Sequence, residues 1–584
     1  MPPLGSLKRK RSYLPPEILD RIFTLLQRSS SNTFRHSDEE MLVSRKSLHA
    51  CCLVCHAWYF SAAATLWNHP TFPNLDSFVK FVATCHRIGL DRRKKMGQRN
   101  DGIGETNVVH RGSETVWIAR WGIENLRSLH LNENAFLPVF CTHKHLALIA
   151  DARPELHHLS LANCHALNDA ALSQIVCSVA PSLRTLDLTN CWQVRDIGVQ
   201  MVAQFCGPWK TLQKLVLRNL GLVSNLGLAA IGEHLAPFLR VLDVSNCRSI
   251  SDSGMANFLG KTLVEEVETG RVSGRRVRRL GRSRGKLLEL RFCGCRRFTR
   301  IGFNAVLAKA LKNNPDLHTL EFSTPVPPKG SPNYTFHSFP IQCFKTLTSL
   351  HIHRAEYLDD ERIRSLADNC GPLLKEFSLI NGIYVSEVAL KYLLTHCVRL
   401  THLSLKKTHL VTDAVVEHLT KCSCMPHLSF LDLSGCKWVT DRAAEALAKS
   451  AEEKPSAADE NTNPFKRAIY SSTRTPRAAS LTHLIVVDCP QLTLRGLLTT
   501  IRGCYPPAGL LEEVHVTGAN NNMELDVMTD IGPGGSVSEA TLFEMVPQRV
   551  GVNAVRQKEP RWVEIIKGQR LSFLAGCGEC EINV

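Results

Sequence analysis

The chain has 584 residues, is 44% hydrophobic and 21% charged, and carries a formal net charge of +16. That length exceeds one compact core, at roughly 100–200 residues per domain, and no run of about 18 apolar residues offers a membrane span. The opening MPPLGSLKRKRSYLP lacks the apolar stretch of a secretory signal, so the 22 cysteines are expected as thiols in the cytoplasm and/or nucleus, not as a disulfide framework.

Residues 1–12 form a basic tail. Lys8 to Arg11 reads either as a nuclear import signal or as a solvated tail. Tyr13 to Leu26, YLPPEILDRIFTLL, reads as a helix. Pro15 and Pro16 suit its start and Glu17 its first turn, and Ile18, Ile22 and Leu25 mark one face. A polar stretch, Ser29 to Arg45, precedes a second helical segment in which Leu48, Cys52, Cys55, Tyr59 and Ala62 keep helical spacing. Residues 70–125 read as a linker and N-terminal cap.

From Leu126 a pattern of leucine, two variable residues, leucine, one variable residue and an aliphatic or Phe recurs about thirteen times, often with a cysteine three residues later. Examples are LHHLSLANC from Leu156, LRTLDLTNC from Leu183 and LSFLDLSGC from Leu428. The starts are Leu126, Leu156, Leu183, Leu212, Leu239, Leu287, Leu317, Leu347, Leu374, Leu400, Leu428, Leu481 and Leu511, mostly 26 to 30 residues apart. A fixed period of this size specifies stacked repeats. Alternation makes the leucine segment a strand, with Leu159 and Leu161 on one side and His158, Ser160 and Ala162 on the other. Asp169, Asp196, Asp252, Asp413 and Asp441 then suit helix starts, as acceptors for free helix N–H groups. Leu172, Ile175, Val176 and Val179, and Val199, Val202, Ala203 and Cys206, give the helices a core face. The cysteines after the strands, from Cys164 to Cys489, read as small buried hydrophobes with a weak donor for loop carbonyls, since Leu220, Ala355, Thr408 and Ala519 fill the same slot.

Two intervals are nearly double. Residues 261–286 (RVSGRRVRRLGRSRGK) and 451–480 (KPSAADENTNP, SSTRTPRAAS) are expected as inserted loops, because neither composition builds a core. Residues 521–584 read as a C-terminal cap and tail.

These repeats resemble the cysteine-containing leucine-rich repeats. Residues 13–69 look like an F-box, on Leu14, Pro15, Glu17, Ile18, Leu19, Ile22 and Phe23, then Leu53, Val54, Cys55, Trp58, Leu66 and Trp67. The polar stretch between its two helical parts is longer than is usual in that family. The fold implied is α/β: a leucine-rich-repeat solenoid with a parallel inner sheet and outer helices, behind a small all-α F-box. The resemblance also implies a substrate-recognition subunit of an SCF-type ubiquitin ligase. Its F-box would dock a Skp-type adaptor, and through it cullin and RING subunits, by way of Leu14, Pro15, Ile18, Ile22, Leu53, Val54 and Trp58. Its repeats would hold a protein substrate. The alternative is a non-catalytic repeat scaffold or inhibitor that binds a signalling or cell-cycle protein without a ligase.

The residues on the inner face are the candidates for substrate contact: His158, Asp187, Lys214, Arg218, Asp243, Glu289, Arg291, His351, His353, His402 and Asp432. With Glu321, Glu376, Glu513 and Lys406 the face carries seven acids against four bases, opposite in sign to the whole chain. A receptor for phosphorylated motifs would want clustered Arg and Lys there, so a substrate not read mainly through phosphate is expected. His130, His483 and His515 add further groups that titrate near pH 6.5 when unperturbed.

No metal or other cofactor is assigned from the sequence. Cys52-x-x-Cys55 and Cys577-x-x-Cys580 are each half of a zinc site without a partner pair, and the GKT at Gly260 lacks the spacing of a phosphate loop. With no nucleophile-elbow or metal-hydrolase motif, a non-catalytic chain is expected. No nucleic-acid partner is expected either, because the basic insertion has little aromatic interleaving.

Overall fold

The computed structural model describes residues 21–22, 47–48, 50–52, 54, 56–100, 122–132, 136–262, 267–272, 275–280, 285–325, 344, 346–452, 481–493, 513–517, 565–566 and 569–574. The chain divides into two compact units, Met1–Leu287 with Gly294–Phe298, and Leu288–Cys293 with Thr299–Val584.

The first unit opens with helices α1 (His56–Asn68) and α2 (Leu75–Asn100). Trp58, Leu66, Cys51 and Cys52 pack on a small core of Leu48 and Ala62. The far end of α1 belongs to the repeats. Trp67 lies so close to Gly122 that a Cβ there would fall 2.5 Å from the indole, and the Arg127 N–H donates to the Asn68 carbonyl at 3.2 Å. Helix α2 carries Phe78 and Phe81 against Phe72, and Arg92 donates to the Ala152 carbonyl at 2.6 Å. The 70–125 segment thus contains a 26-residue capping helix, and the boundary placed after residue 69 falls on packed structure.

Strands β1 (Ser128–His130), β2 (His158–Ser160), β3 (Thr185–Asp187), β4 (Lys214–Val216) and β5 (Val241–Asp243) pair in parallel, with Leu129, Leu159, Leu186, Leu215 and Leu242 in register. In the second unit β8 (Glu289–Phe292), β9 (Thr319–Ser323), β10 (Ser349–His353), β11 (Glu376–Leu379), β12 (His402–Ser404), β13 (Phe430–Asp432), β14 (His483–Ile485) and β15 (Glu513–Thr517) do the same. A strand therefore stands at every one of the thirteen predicted repeat starts. The C-terminal region adds β17 (Gln569–Leu574), parallel to β15, and β16 (Ile565–Ile566), antiparallel to β17.

Helices α3 (His143–Asp151), α4 (Asp169–Val179), α5 (Asp196–Cys206), α6 (Asn225–His234) and α7 (Asp252–Lys261) follow strands in the first unit. Those of the second are α8 (Arg300–Asn313), α9 (Asp360–Cys370), α10 (Glu387–His396), α11 (Asp413–Lys421) and α12 (Asp441–Glu452). Their predicted core faces are buried, including Leu172, Ile175, Val176 and Val179.

One insertion corrects the sequence reading. Residues 267–272 and 275–280, expected as loop, pair as an antiparallel hairpin, β6 (Val267–Val272) with β7 (Arg275–Leu280). The β-branched Val267, Thr269, Val272 and Val277 suit strands, and backbone pairing needs no core of its own. In the other insertion, α12 runs to Glu452, and residues 453–480 lie outside the described residues.

Neighbouring repeats are bonded through three recurrent side chains. The cysteine slot behaves as expected: Cys191, Cys247, Cys436 and Cys489 are buried, and each Sγ donates to the carbonyl of the preceding repeat's strand segment, at 3.0 to 3.2 Å. Thr408 does the same with its hydroxyl, to the Leu379 carbonyl at 3.2 Å. Burial pushes the Cys247 thiol up to about 12, so it stays a protonated donor. The residue before the slot adopts positive φ, as in Asn163, Asn190, Asn219 and Asn246, a conformation that asparagine tolerates. Their amides form a ladder, with Asn190 donating to Asn163 at 2.6 Å and Asn219 to Asn190 at 2.8 Å.

The aspartates differ from expectation. Asp169, Asp196, Asp413 and Asp441 sit at the start of their own helices but accept from the next repeat, whereas Asp252 accepts from the Ser253 N–H of its own helix at 2.8 Å. Asp169 Oδ1 takes the N–H groups of Arg195 at 2.8 Å and Gly198 at 3.2 Å. Asp196 takes Ser224 N–H at 2.7 Å, its hydroxyl at 2.7 Å and Gly227 N–H at 3.0 Å. Asp413 serves Thr440 and Asp441 serves Thr493 in the same way. In α5 and α6 the third residue is a glycine that lets the carboxylate in: a Cβ on Gly198 would stand 2.4 Å from Asp169 Oδ1, and one on Gly227 2.8 Å from Asp196 Oδ1.

This geometry predicts that Asp196→Ala lowers stability by about 1–2 kcal/mol, the scale of a lost helix cap. Gly227→Ala should also destabilise. Because both act through one contact, the double variant should fall short of the sum of the singles. Denaturant unfolding of the three variants checks this; strict additivity would refute the shared contact.

Candidate functional site

The leucines of each strand are buried, so the side chains between them form the face turned away from the helices. This is where the candidate substrate residues lie. In the first unit His158 is exposed and its Nδ1 is 3.1 Å from Thr185 Oγ1. Ser160 beside it is buried. Lys214 is half-buried on β4.

Three of the candidate acids are occupied by the fold. Asp187 Oδ1 accepts from the Thr189 N–H at 2.9 Å and hydroxyl at 2.6 Å. Asp243 accepts from the Ser245 N–H at 2.9 Å, and Asp432 from the Ser434 N–H at 2.9 Å and hydroxyl at 2.5 Å. Each closes the turn after its strand, as short acidic side chains do. The signal was in the sequence, as Asp-x-Thr or Asp-x-Ser in LDLTN, LDVSN and LDLSG. Asp243 is only 2% exposed and also pairs with Arg218 at 3.1 Å.

In the second unit Arg291 pairs with Glu289 at 3.0 Å and lies 3.4 Å from Glu321, the latter contact lacking hydrogen-bond geometry. His351 and Glu376 share Ser349, whose hydroxyl is 2.9 Å from His351 Nε2 and 2.8 Å from Glu376 Oε2. The bonds from His351 and Ser349 hold the Glu376 carboxyl down at about 2. His353 Nε2 is 3.1 Å from Glu321 Oε1. Further along, exposed His402 stacks on Phe430 at 5.7 Å, and Phe430 meets His483 at 6.3 Å. Charge and aromatic character thus occupy separate strands: β8 to β11 are ionic, β12 to β14 aromatic. Phe430 went unnamed because the sequence tally followed charge alone.

Of the proposed adaptor residues, Leu14, Pro15, Ile18 and Leu53 lie outside the described residues. Ile22 is 39% and Val54 60% exposed, whereas Trp58 packs inward on Leu48 and Ala62. Cys577 and Cys580 lie outside the described residues; Cys52 is half-buried in the same small helical core.

The histidines do not all titrate at their ordinary value. His69 is pushed down to about 4 by burial and by His130 and His158 nearby. Burial also lowers His130, His158 and His402.

Three segments, residues 179–203, 236–259 and 424–448, match the family described as Leucine Rich repeat, in agreement with the repeats seen in the fold. No curated protein matches. Among solved structures, a chain of the "Crystal structure of Rad7 and Elc1 complex in yeast" is similar at 16% identity and a TM-score of 0.49, over 67% of this chain and 82% of that one. Among the described residues no helix is long and apolar enough to cross a membrane.

The depressed His69 value carries a sign. The unfolded chain takes up its proton near pH 6.5 and the folded chain only near pH 4, so stability falls as pH drops through that window. His69→Gln should flatten this fall. Urea unfolding at pH 7 and pH 4.5 tests it; an unchanged pH dependence would be the contrary result.

Proposed function

We propose that this chain is the substrate-recognition subunit of an SCF-type ubiquitin ligase. The observation that carries the reading is the N-terminal motif joined to leucine-rich repeats. Helix α1 packs Trp58 and Leu66 on a small core, and the turn before it leaves Val54 outward. Exposed apolar side chains on a helical module suit a Skp-type adaptor, which would link the chain to cullin and RING subunits. The chain is non-catalytic on this reading. The recruited conjugating enzyme does the chemistry, and the repeats raise the local concentration of substrate lysines. It works in the cytoplasm or nucleus.

The substrate is a protein held on the open sheet face without primary dependence on phosphate. Arg218 and Arg291 support this, since carboxylates of the same face already engage both. The stripe of His402, Phe430 and His483 offers the apolar anchor that interfaces favour.

Val54→Asp should abolish co-precipitation of the Skp-type adaptor and leave the repeats folded, because loss of a central apolar anchor costs upward of about 2 kcal/mol. Deletion should stop at residue 55, since Trp67 and Asn68 are built into the repeat stack. A full-length chain that never co-purifies with the adaptor would favour the scaffold or inhibitor reading. A second expectation concerns a captured substrate: phosphatase treatment should spare its binding, and Phe430→Ala should weaken it. Release by phosphatase, reproduced by Arg218→Ala, would reverse that assignment. Loss of binding in Asp187→Ala or Asp243→Ala would not discriminate, because both side chains close turns.

A further inference from the structure

Three successive strands of the second unit bring a thiol, a carboxylate and an imidazole together. Cys293 follows β8, Glu321 lies on β9 and His353 ends β10. Cys293 Sγ is 3.4 Å from Glu321 Oε1, and His353 Nε2 is 3.1 Å from the same oxygen. All three donor atoms lie within 4.8 Å of one another. We propose that Cys293, Glu321 and His353 form a zinc site on the open sheet face, with a fourth position left for water or for a ligand atom of whatever binds that face.

The spacing fits. A tetrahedral zinc with bonds of about 2.3 Å to sulfur and about 2.0–2.1 Å to nitrogen or oxygen sets its donors roughly 3.3–3.5 Å apart. The donor set selects the ion: thiolate and imidazole favour zinc over magnesium or calcium. Charge closes as well, because one thiolate and one carboxylate neutralise a divalent cation.

The site is also supported. The Arg291 guanidinium lies 3.4 Å from the other carboxylate oxygen of Glu321, which leaves Oε1 for the metal and places a positive charge behind the carboxylate. The His353 carbonyl accepts from the Thr324 N–H at 3.1 Å, and β8, β9 and β10 are held in parallel register. Ser323 lies between the outer ligands, opposite His353 in the ladder, and its small side chain leaves space for them to converge. Accessibility is graded: Cys293 is 7% exposed, Glu321 15% and His353 33%. The opening therefore lies on the histidine side, where a partner would approach.

Cobalt(II) is the probe, added to the full-length chain stripped of metal and kept in a non-chelating reductant. The expected result is one tight ion per chain, with the intense visible bands of a tetrahedral site and a near-ultraviolet sulfur-to-cobalt charge-transfer band. Excess zinc should erase both. Cys293→Ser should remove the charge-transfer band, and His353→Gln should weaken binding at least about 10-fold. Cys177→Ser, an exposed thiol outside the cluster, should change nothing. His353 is partly exposed, so His353→Gln should fold even if Cys293→Ser does not. Zinc should raise the melting temperature of the wild type and not that of His353→Gln. A wild-type chain with no charge-transfer band, or one whose band survives both variants, overturns the site.

Discussion

A three-residue strand and a ten-residue helix cannot stand alone, and the structure depends on how each repeat completes its neighbour's backbone. The Asp196 carboxylate reaches forward to N–H groups of the next repeat. The Cys247 thiol reaches back to the Leu217 carbonyl. Each bond satisfies a backbone group that burial would otherwise leave costly. Stability then comes from interfaces between neighbours, as in other stacked repeats. It follows that the first repeat needs a substitute neighbour. Trp67, Asn68 and α2 supply it, which is why the N-terminal helices cannot be trimmed at residue 69 without touching the stack.

The same logic separates structural from variable positions. Leucine, cysteine, asparagine and aspartate slots are fixed by backbone geometry and have little freedom to meet a partner. What remains is the row of side chains between the leucines. There the second unit carries ionic pairs on β8 to β11 and then the stack of His402, Phe430 and His483 on β12 to β14. Pairing within the face removes much of its formal charge. An interface so arranged gains more from aromatic contact and hydrogen bonding than from net charge, since exposed ion pairs contribute little.

Much of this was legible in the sequence. Leucine periodicity located the thirteen repeat strands, because alternation and burial are local properties of a short segment. The slot chemistry was legible for cysteine, since Thr408 in the same place makes the same bond to a strand carbonyl. Asp196 was legible as a helix-start acceptor but not as the neighbour's: the glycine that admits it, Gly227, lies 31 residues on and one repeat away. The hairpin at residues 267–280 was missed because its arginines were weighed as charge and its β-branched Val267, Thr269, Val272 and Val277 were not. Trp192, 56% exposed and stacked on His165, carried no periodic signal at all.

The convergence at Cys293 has a cause in the pattern itself. Repeats that read Asp-x-Thr or Asp-x-Ser spend both side chains on closing their own turn, as Asp187 does with Thr189 and Asp432 with Ser434. Arg291 and Cys293 stand at those two positions in their repeat, and His351 and His353 in another. Neither pair can make the carboxylate-to-hydroxyl closure. Arg291, Cys293 and His353 turn sideways instead, to Glu321 on the strand between them, while His351 turns to Ser349. Two departures from the turn motif, one on either side of Glu321, therefore produce one cluster across three strands. In a repeat protein, the repeats that break the structural motif are the ones whose side chains are released for chemistry.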